Sequence, residues 1–506
     1  MLSGIRVSLL HGWRALETTF DRAFGARDNP LRHLGALGFY FFWVAAASGI
    51  YLYVFFDTSV AGAYRSVEAL RHQPWLIGSV ARSLHRYASD GFVAVMFLHL
   101  VKETLAAHYR GFRLFSWLTG VPLIWLVYVS GIGGYWLVWD RVAQFSAAAT
   151  MEWLDWLPLF GEPLARNFLH AGSVSDRFFS LLVFVHIGVP LLLLLGMWVH
   201  IQRVSLADTA PPRRLGWGVA VALLALSLLK PALSAPPAHL DTEPARVALD
   251  WFYLFVHPLA YRTSAGFAWA LVFGATLLLA AAPLLSRARP EPVAKVDPEN
   301  CNGCGRCVAD CPYAAVQLVP HSLKGKYRMQ AQVDPDLCAA CGICAGACPS
   351  STPFRRMETL VSGIDMPLLP IGVLRGRLDS ALSRLVSRPR VVIFGCECAA
   401  DVNTLAAPGV ASFSLPCIGN LPPSFVEYAL RNGADRVLVT GCREGDCAYR
   451  FGNRWIEQRF SGEREPHLRR HVARERVRIA WANAGDEERL RAQLTEFCEP
   501  RARRLS

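Results

Sequence analysis

Four histidines and a run of cysteines at fixed spacings carry most of the reactive chemistry in this chain of 506 residues. His85 and His99 lie fourteen residues apart, and so do His186 and His200. Fourteen residues make about 3.9 helical turns and roughly 21 Å of rise, so both members of a pair share one helix face, one near each end. Two facing helices of this kind can hold two stacked haems by bis-histidine ligation, His85 with His186 and His99 with His200. Histidines in apolar helices also bond across helices without any ligand, but four at matched spacing favour ligation. Gly35 with Gly49, and Gly120 with Gly134, repeat the same interval, and glycine lets a flat ring approach a backbone closely. No C-x-x-C-H is present, which excludes covalently attached haem.

All fourteen cysteines lie between Cys301 and Cys498. The run Cys301-x-x-Cys304-x-x-Cys307-x-x-x-Cys311-Pro312 returns as Cys338-x-x-Cys341-x-x-Cys344-x-x-x-Cys348-Pro349, each copy led by Val-Asp-Pro. Tight C-x-x-C clustering is ligand spacing for metal clusters in a reducing compartment rather than a disulfide scaffold, and eight thiolates with both prolines speak against zinc. The pattern resembles the bacterial two-cluster ferredoxins. In that family the fourth cysteine of each run ligates the other cluster. The resemblance therefore assigns Cys301, Cys304, Cys307 and Cys348 to one [4Fe-4S] cluster and Cys338, Cys341, Cys344 and Cys311 to a second.

Further on, short apolar strands at Val391–Phe394, Ala411–Leu415, Arg436–Thr440 and Val477–Ala482 alternate with helical patterns, which predicts a small parallel α/β domain. Cys396, Cys398, Cys417, Cys442 and Cys447 follow the carboxyl ends of the first three strands, the edge where such sheets bind ligands. The runs Leu415-Pro416-Cys417-Ile418-Gly419 and Gly433 to Cys447 resemble the delta, iron-sulfur subunit of the methyl-viologen-reducing hydrogenases. That resemblance implies a [2Fe-2S] cluster and a partner of heterodisulfide-reductase type. The family's first two cysteines are separated by two residues, whereas Cys396 and Cys398 have only Glu397 between them, so which four of the five ligate stays open. Cys498 is expected to be an ordinary thiol.

The elements that must hold these residues follow from composition. With 53% hydrophobic and 18% charged residues and a mean hydropathy of +0.27, the chain is too apolar for an ordinary soluble enzyme. Its net charge of +12 is scattered between apolar runs rather than gathered into a basic stripe, which excludes a nucleic-acid partner and fits positive loops beside membrane helices. Six spans are predicted at Leu34–Phe56, Val80–Leu105, Leu114–Val138, Phe178–Val199, Leu215–Leu233 and Ala265–Leu285. The Arg-rich N-terminus, Lys102 with Arg110 and Arg113, Arg203 with Arg213 and Arg214, and Arg287 with Arg289 fall on one side, which the positive-inside rule makes cytoplasmic. Everything after Arg289 is then cytoplasmic, in a prokaryotic inner membrane. The N-terminal segment lacks the h-region and cleavage site of a removed signal peptide. The opposite loops, Trp139–Arg177 and Ser234–Arg262, are expected to cap an outer site. Domain boundaries are expected at 1–33 (cytoplasmic segment), 34–288 (all-α membrane bundle), 289–355 (α+β two-cluster domain), 356–389 (linker) and 390–506 (α/β cluster domain).

The membrane part resembles cytochrome b of the quinol-oxidising bc complexes. The resemblance makes the four histidines haem b ligands, Arg82 a basic residue beside a haem propionate, and puts Lys102 where the family usually has Arg. It also implies homodimerisation. Leu249-Asp250-Trp251-Phe252-Tyr253-Leu254 looks like a degenerate Pro-Glu-Trp-Tyr segment of the outer quinol site, with Asp250 for the glutamate and Trp251 and Tyr253 beside it. A carboxylate there could take a quinol proton. Ser205 stands near where an inner quinone site usually has histidine, so that site has no motif support. The expected activity is that of a membrane subunit of a quinone-linked oxidoreductase. It would relay electrons between a soluble cytoplasmic flavin or iron-sulfur partner, of heterodisulfide-reductase or hydrogenase type, and the quinone pool. Two alternatives stay open: inward flow from quinol to the clusters, and a haem and cluster wire with no quinone site. Nothing binds nicotinamide or flavin, since no G-x-G-x-x-G lies between a strand and a helix.

Overall fold

The computed structural model describes residues 2–159, 164, 174–242, 247–284, 292–323, 325 and 327–499. It falls into two compact units, Met1–Gln202 with Ala207–Arg287, and Arg203–Leu206 with Ala288–Ser506. Arg287, Arg289, the end of the sixth predicted span at Leu285, parts of the two outer loops and the first residues of the expected two-cluster domain, 289–291, lie outside the described residues.

The first unit is helical. Its helices are α1 Leu2–Phe24, α2 Leu34–Phe55, α3 Ala63–Ala69, α4 Ile77–Leu105, α5 Leu114–Val138, α6 Arg141–Asp155, α7 Asp176–His200, α8 Arg213–Leu229, α9 Val256–Arg262 and α10 Ala265–Ala281. A helix stands at each of the six predicted spans, but among the described residues three are long and apolar enough to cross a membrane: Leu34–Phe55, Gly111–Val138 and Asp176–His200. The reasons for the shortfall are physical. Helix α4 has the length but carries Arg82, Arg86, Asp90, Lys102 and Glu103. Helices α8 and α10 have 17 residues each, about 25 Å, against roughly 30 Å of hydrocarbon. The apolar helices keep large side chains exposed, among them Phe184, Leu191 and Trp198 on α7. A helix apolar all round needs an apolar solvent.

Helices α2 and α4 pack as one pair and α5 and α7 as another. Leu34, Leu37, Phe41, Ala88 and Val95 form part of the core of the first pair, and Val127, Leu193 and Met197 that of the second. Helix α1 is tied to the end of α4, where Arg6 Nη1 donates to the Leu105 carbonyl at 2.9 Å and Lys102 pairs with buried Glu17 at 2.8 Å. Both predicted outer loops contain helices. Asp140 caps α6 by accepting the Ala143 N–H at 2.9 Å, and its other oxygen holds the Ala235 N–H at 2.8 Å, so one buried carboxylate fastens the two loops together.

The second unit is α/β. Strands β1 Lys295–Val296 and β4 Ile364–Asp365 pair antiparallel, as do β2 Val316–Pro320 and β3 Met329–Val333, with short helices α11 Arg306–Asp310 and α12 Ile343–Ala347 between them. A second sheet is wholly parallel, in the order β6 Val410–Leu415, β5 Val391–Cys396, β7 Arg436–Gly441 and β8 Val477–Trp481. Helices α14 Ser424–Arg431, α15 Gly452–Ser461 and α16 Glu487–Cys498 complete it. The segment 356–389, expected to be a linker, is instead built into the unit. It contributes β4 to the small sheet, and α13 Ile371–Arg384 buries Ile371, Leu374, Leu378 and Leu382 in the core of the parallel sheet. Those four apolar residues recur at helical spacing, which fixes the buried face.

Candidate functional site

The four histidines stand on α4 and α7, and each ring lies against a glycine of the neighbouring helix. A Cβ built on Gly49 would sit 3.0 Å from His85 Cε1, one on Gly134 2.8 Å from His186 Cε1, one on Gly120 3.1 Å from His200 Cε1 and one on Gly35 4.0 Å from His99 Cε1. The glycines thus make room first for the imidazoles themselves, a closer use than the approach to a flat ring expected of them. His85 Nδ1 is 2.8 Å from the Ala45 carbonyl, and His186 Nδ1 is 3.1 Å from that of Ser130. Each Nδ1 must carry the proton it donates, so Nε2 keeps a free lone pair. The His85 and His186 ring centroids are 6.2 Å apart. That span takes one metal atom, since two metal–nitrogen bonds of about 2 Å and roughly 1 Å from each ring centre to its nitrogen add to the same length. At the other level His200 Nδ1 lies 3.3 Å from Thr119 Oγ1, and His99 Nδ1 lies 3.8 Å from Glu103 Oε1.

The two basic residues expected near a haem edge are held by protein. Arg82 donates to Glu68 at 3.0 Å and to Ser234 Oγ at 2.6 Å, and Lys102 donates to the Leu31 carbonyl at 3.0 Å besides pairing with Glu17.

The residues proposed for an outer quinone site divide. Asp250 Oδ1 pairs with Arg86 at 3.0 Å, and its Oδ2 accepts the Tyr253 N–H at 2.8 Å. Arg86 also pairs with Asp90 at 3.2 Å and covers the Tyr135 ring at 4.7 Å. Tyr253 is buried, fills the space left by Gly131 and donates its hydroxyl to the Ser89 carbonyl at 2.9 Å. Trp251 is 74% exposed and does not join them. Sequence reading missed Arg86, whose position on α4 opposite Asp250 has no local signal. It also missed His257, buried with Nε2 3.1 Å from Ser146 Oγ.

In the second unit the eight ferredoxin-pattern cysteines line two cavities. One is lined by Cys311, Cys338, Cys341 and Cys344. The other is lined by Cys301, Cys304, Cys307 and Cys348. The runs are therefore crossed, the fourth cysteine of each standing with the first three of the other. Backbone N–H groups already face two of the sulfurs, Ala315 to Cys311 at 3.3 Å and Ala331 to Cys301 at 3.4 Å. Burial, reinforced by Cys348, Cys304 and Cys301, pushes the Cys307 thiol up to about 12. A thiolate there needs a cationic centre to offset desolvation, and binding one would release protons. Among the described residues no three His, Cys, Asp or Glu side chains are set to share one metal ion.

The five remaining candidates meet at the carboxyl end of the parallel sheet. Cys396 is pulled below the ordinary thiol range by S–H donors from Cys398, Cys417 and Cys442, and Cys447 is pulled down by Cys417. Cys396 and Cys398 both point at the Pro416 carbonyl, at 3.8 and 3.9 Å. Gly452, at the start of α15, was missed by sequence reading. A Cβ there would overlap Cys417 Sγ and sit 3.4 Å from Cys447 Sγ. Asn453 supports the loop by donating to the Cys442 and Arg443 carbonyls at 3.1 and 3.0 Å. Cys498 stands apart on α16, half-exposed.

Three family models match the chain. Residues 29–226 match cytochrome b/b6/petB, residues 300–352 a 4Fe-4S dicluster domain, and residues 391–502 the delta subunit of methyl-viologen-reducing hydrogenase. They stand in the order in which the three resemblances were read along the sequence. The chain is also similar to a chain of a solved structure titled "Hyperthermophilic respiratory Complex III". The two are 20% identical over 50% of this chain and 75% of that one, with a TM-score of 0.41. The cytochrome b match implies haem b, the dicluster match implies iron-sulfur clusters, and the combination is that of a membrane electron-transfer subunit.

Proposed function

We propose that this chain exchanges electrons between a soluble cytoplasmic flavin or iron-sulfur partner and membrane quinone, as the membrane subunit of a larger oxidoreductase. His85 with His186 and His99 with His200 would hold two b haems. The two four-cysteine cavities would hold [4Fe-4S] clusters, and four of Cys396, Cys398, Cys417, Cys442 and Cys447 a [2Fe-2S] cluster. Such groups supply one-electron chemistry, while the protein sets ligation, burial and hydrogen bonding. All six apolar helices would cross the membrane, with the second unit in the cytoplasm. The observation that carries this reading is the 6.2 Å His85–His186 pair, in one chain with two cavities each lined by four cysteines.

The chain's own residues have definite tasks. The Ala45 and Ser130 carbonyls fix imidazole tautomer and orientation, and Gly49 and Gly134 keep the rings free to turn toward each other. Gly452 keeps the third site open, so Gly452→Ala is expected to lose it, because Cys417 is fully buried and cannot retreat from the new methyl group. The loss would be read as about two irons fewer per chain, with haem absorption unchanged.

Asp250 supplies the test of quinone chemistry. The full protein is reduced with dithionite, a quinone analogue is titrated in, and the haem band is followed. If Asp250 takes the quinol proton, Asp250→Asn slows the exchange about 100-fold or more. A second reading has a specific observation in its favour: the Asp250 carboxylate is already engaged by Arg86 and the Tyr253 N–H. On that reading the chain is a wire and anchor with no quinone site at Asp250, and Asp250→Asn leaves the rate unchanged.

A further inference from the structure

Between the third cysteine site and the Cys311/Cys338/Cys341/Cys344 cavity lies one short segment, Cys417 to Asn420. Cys341, Ile343, Cys417, Phe451 and Trp455 form a single buried cluster, with Cys447 packed beside it. The approach is made by backbone. A Cβ on Gly346 would overlap the Gly419 carbonyl, and one on Gly419 would lie 2.8 Å from Ile343 Cγ1 and 3.0 Å from Gly452 Cα. Arg459 clasps the two segments, donating to the Gly419 carbonyl at 2.9 Å and to the Ile343 carbonyl at 3.4 Å.

Asn420 sits in this junction with an unmet requirement. It is 1% exposed, and among the described residues neither its Nδ2 nor its Oδ1 has a hydrogen-bond partner. Its carboxamide is laid against Gly342, in the turn between Cys341 and Ile343: a Cβ on Gly342 would lie 2.6 Å from Asn420 Cγ and 2.9 Å from both Nδ2 and Oδ1. Because those two distances are equal, either orientation of the amide presents an N–H group there. A buried carboxamide without partners is costly, and it persists where something else accepts its hydrogen bond. Gly342, against which the amide lies, lines the cavity together with Cys341 and Cys344, so sulfur held in that cavity is an acceptor within the same neighbourhood.

We propose that Asn420 is a positioning residue for the cluster in the Cys311/Cys338/Cys341/Cys344 cavity, donating its Nδ2–H to sulfur there and holding that site against the third one. The proposal rests on the cluster assignments above. Hydrogen bonds to cluster sulfur stabilise the reduced, more negative state, so losing one lowers the reduction potential.

The experiment is an EPR-monitored redox titration of the full-length protein with Asn420→Leu, which keeps bulk and removes the donors. The expected result is a fall in the midpoint of one [4Fe-4S] signal, the one abolished by Cys341→Ser, with the other [4Fe-4S] midpoint and both haem midpoints unmoved. Asn420→Asp, closer in shape, serves where the leucine variant does not accumulate. It is expected to lower the same midpoint, through loss of the N–H donors and added negative charge. An unchanged midpoint, or an equal shift of every centre, overturns the proposal. Failure of the underlying reading looks different, because the unaltered protein would then show no [4Fe-4S] signals at all.

Discussion

If His85 with His186 and His99 with His200 hold two b haems as proposed, a protein carrying His186→Ala is expected to bind one b haem per chain in place of two. Proton placement on the imidazole ring decides the outcome. The Ser130 carbonyl lies 3.1 Å from His186 Nδ1, so the proton is committed there, and Nε2 is left as a ligand in a fixed orientation. The partner His85 is oriented in the same way by the Ala45 carbonyl, and the 6.2 Å between the rings suits one metal between two imidazoles. Alanine would remove one of the two imidazoles proposed to hold that haem, and it opens a space beside Gly134 that water can enter. His99 and His200 stand fourteen residues further along each helix, about 21 Å away, so the second level is untouched. A pyridine haemochrome assay should therefore give half the haem of the unaltered protein, and a potentiometric titration one wave in place of two. His99→Ala should remove the other wave. Retention of both haems in His186→Ala would refute the pairing.

Arg459→Met is expected to be the most destabilising single change in the cluster-bearing unit. The Arg459 side chain is wholly buried and pairs with Asp310 Oδ2 at 2.6 Å, and Asp310 is itself 2% exposed. Burial works against the guanidinium charge and Asp310 restores it. Methionine of similar length leaves Asp310 in the interior with only Arg464, at 2.5 Å from its other oxygen, and removes the guanidinium N–H groups that reach the Gly419 and Ile343 carbonyls. Breaking a buried ion pair by removing one partner costs about 3–5 kcal/mol. For a unit of this size that lowers the melting temperature by roughly 10 °C. Thermal bleaching of cluster absorbance in the detergent-solubilised full chain reads the loss, and haem absorbance reports separately on the helical unit. Both proteins should be heated at one scan rate. Bleaching at the temperature of the unaltered protein would mean that Arg464 suffices for Asp310.

The parts of this molecule legible in its sequence are those whose signal is local. Strands β5 to β8 are short apolar runs, which is how strands covered on both faces must read, and all four lie within two residues of expectation. Ligand spacings are legible for the same reason, because turn geometry sets them over a few residues. The Asp310–Arg459 pair joins residues 149 positions apart and follows no period, so nothing in either neighbourhood announces it. Asp250 illustrates the same limit. Its position in a degenerate quinol-site segment is visible, but its engagement by Arg86 on a distant helix is not. The segment 356–389 was misread for a different reason. Arg375, Gly376 and Arg377 dilute the stripe formed by Ile371, Leu374, Leu378 and Leu382, so α13 looks polar on average although one face is wholly apolar.

The pairing of β1 with β4 has a consequence for how the protein is made. Lys295 and Val296 precede every cysteine of the two ferredoxin-type runs, whereas Ile364 and Asp365 follow the last of them. The small sheet therefore closes only after all eight sulfurs have left the ribosome, and Ile364 seals the core that Cys301, Cys307 and Cys344 share. A recombinant fragment cut at the apparent domain edge after residue 355 would lack its closing strand.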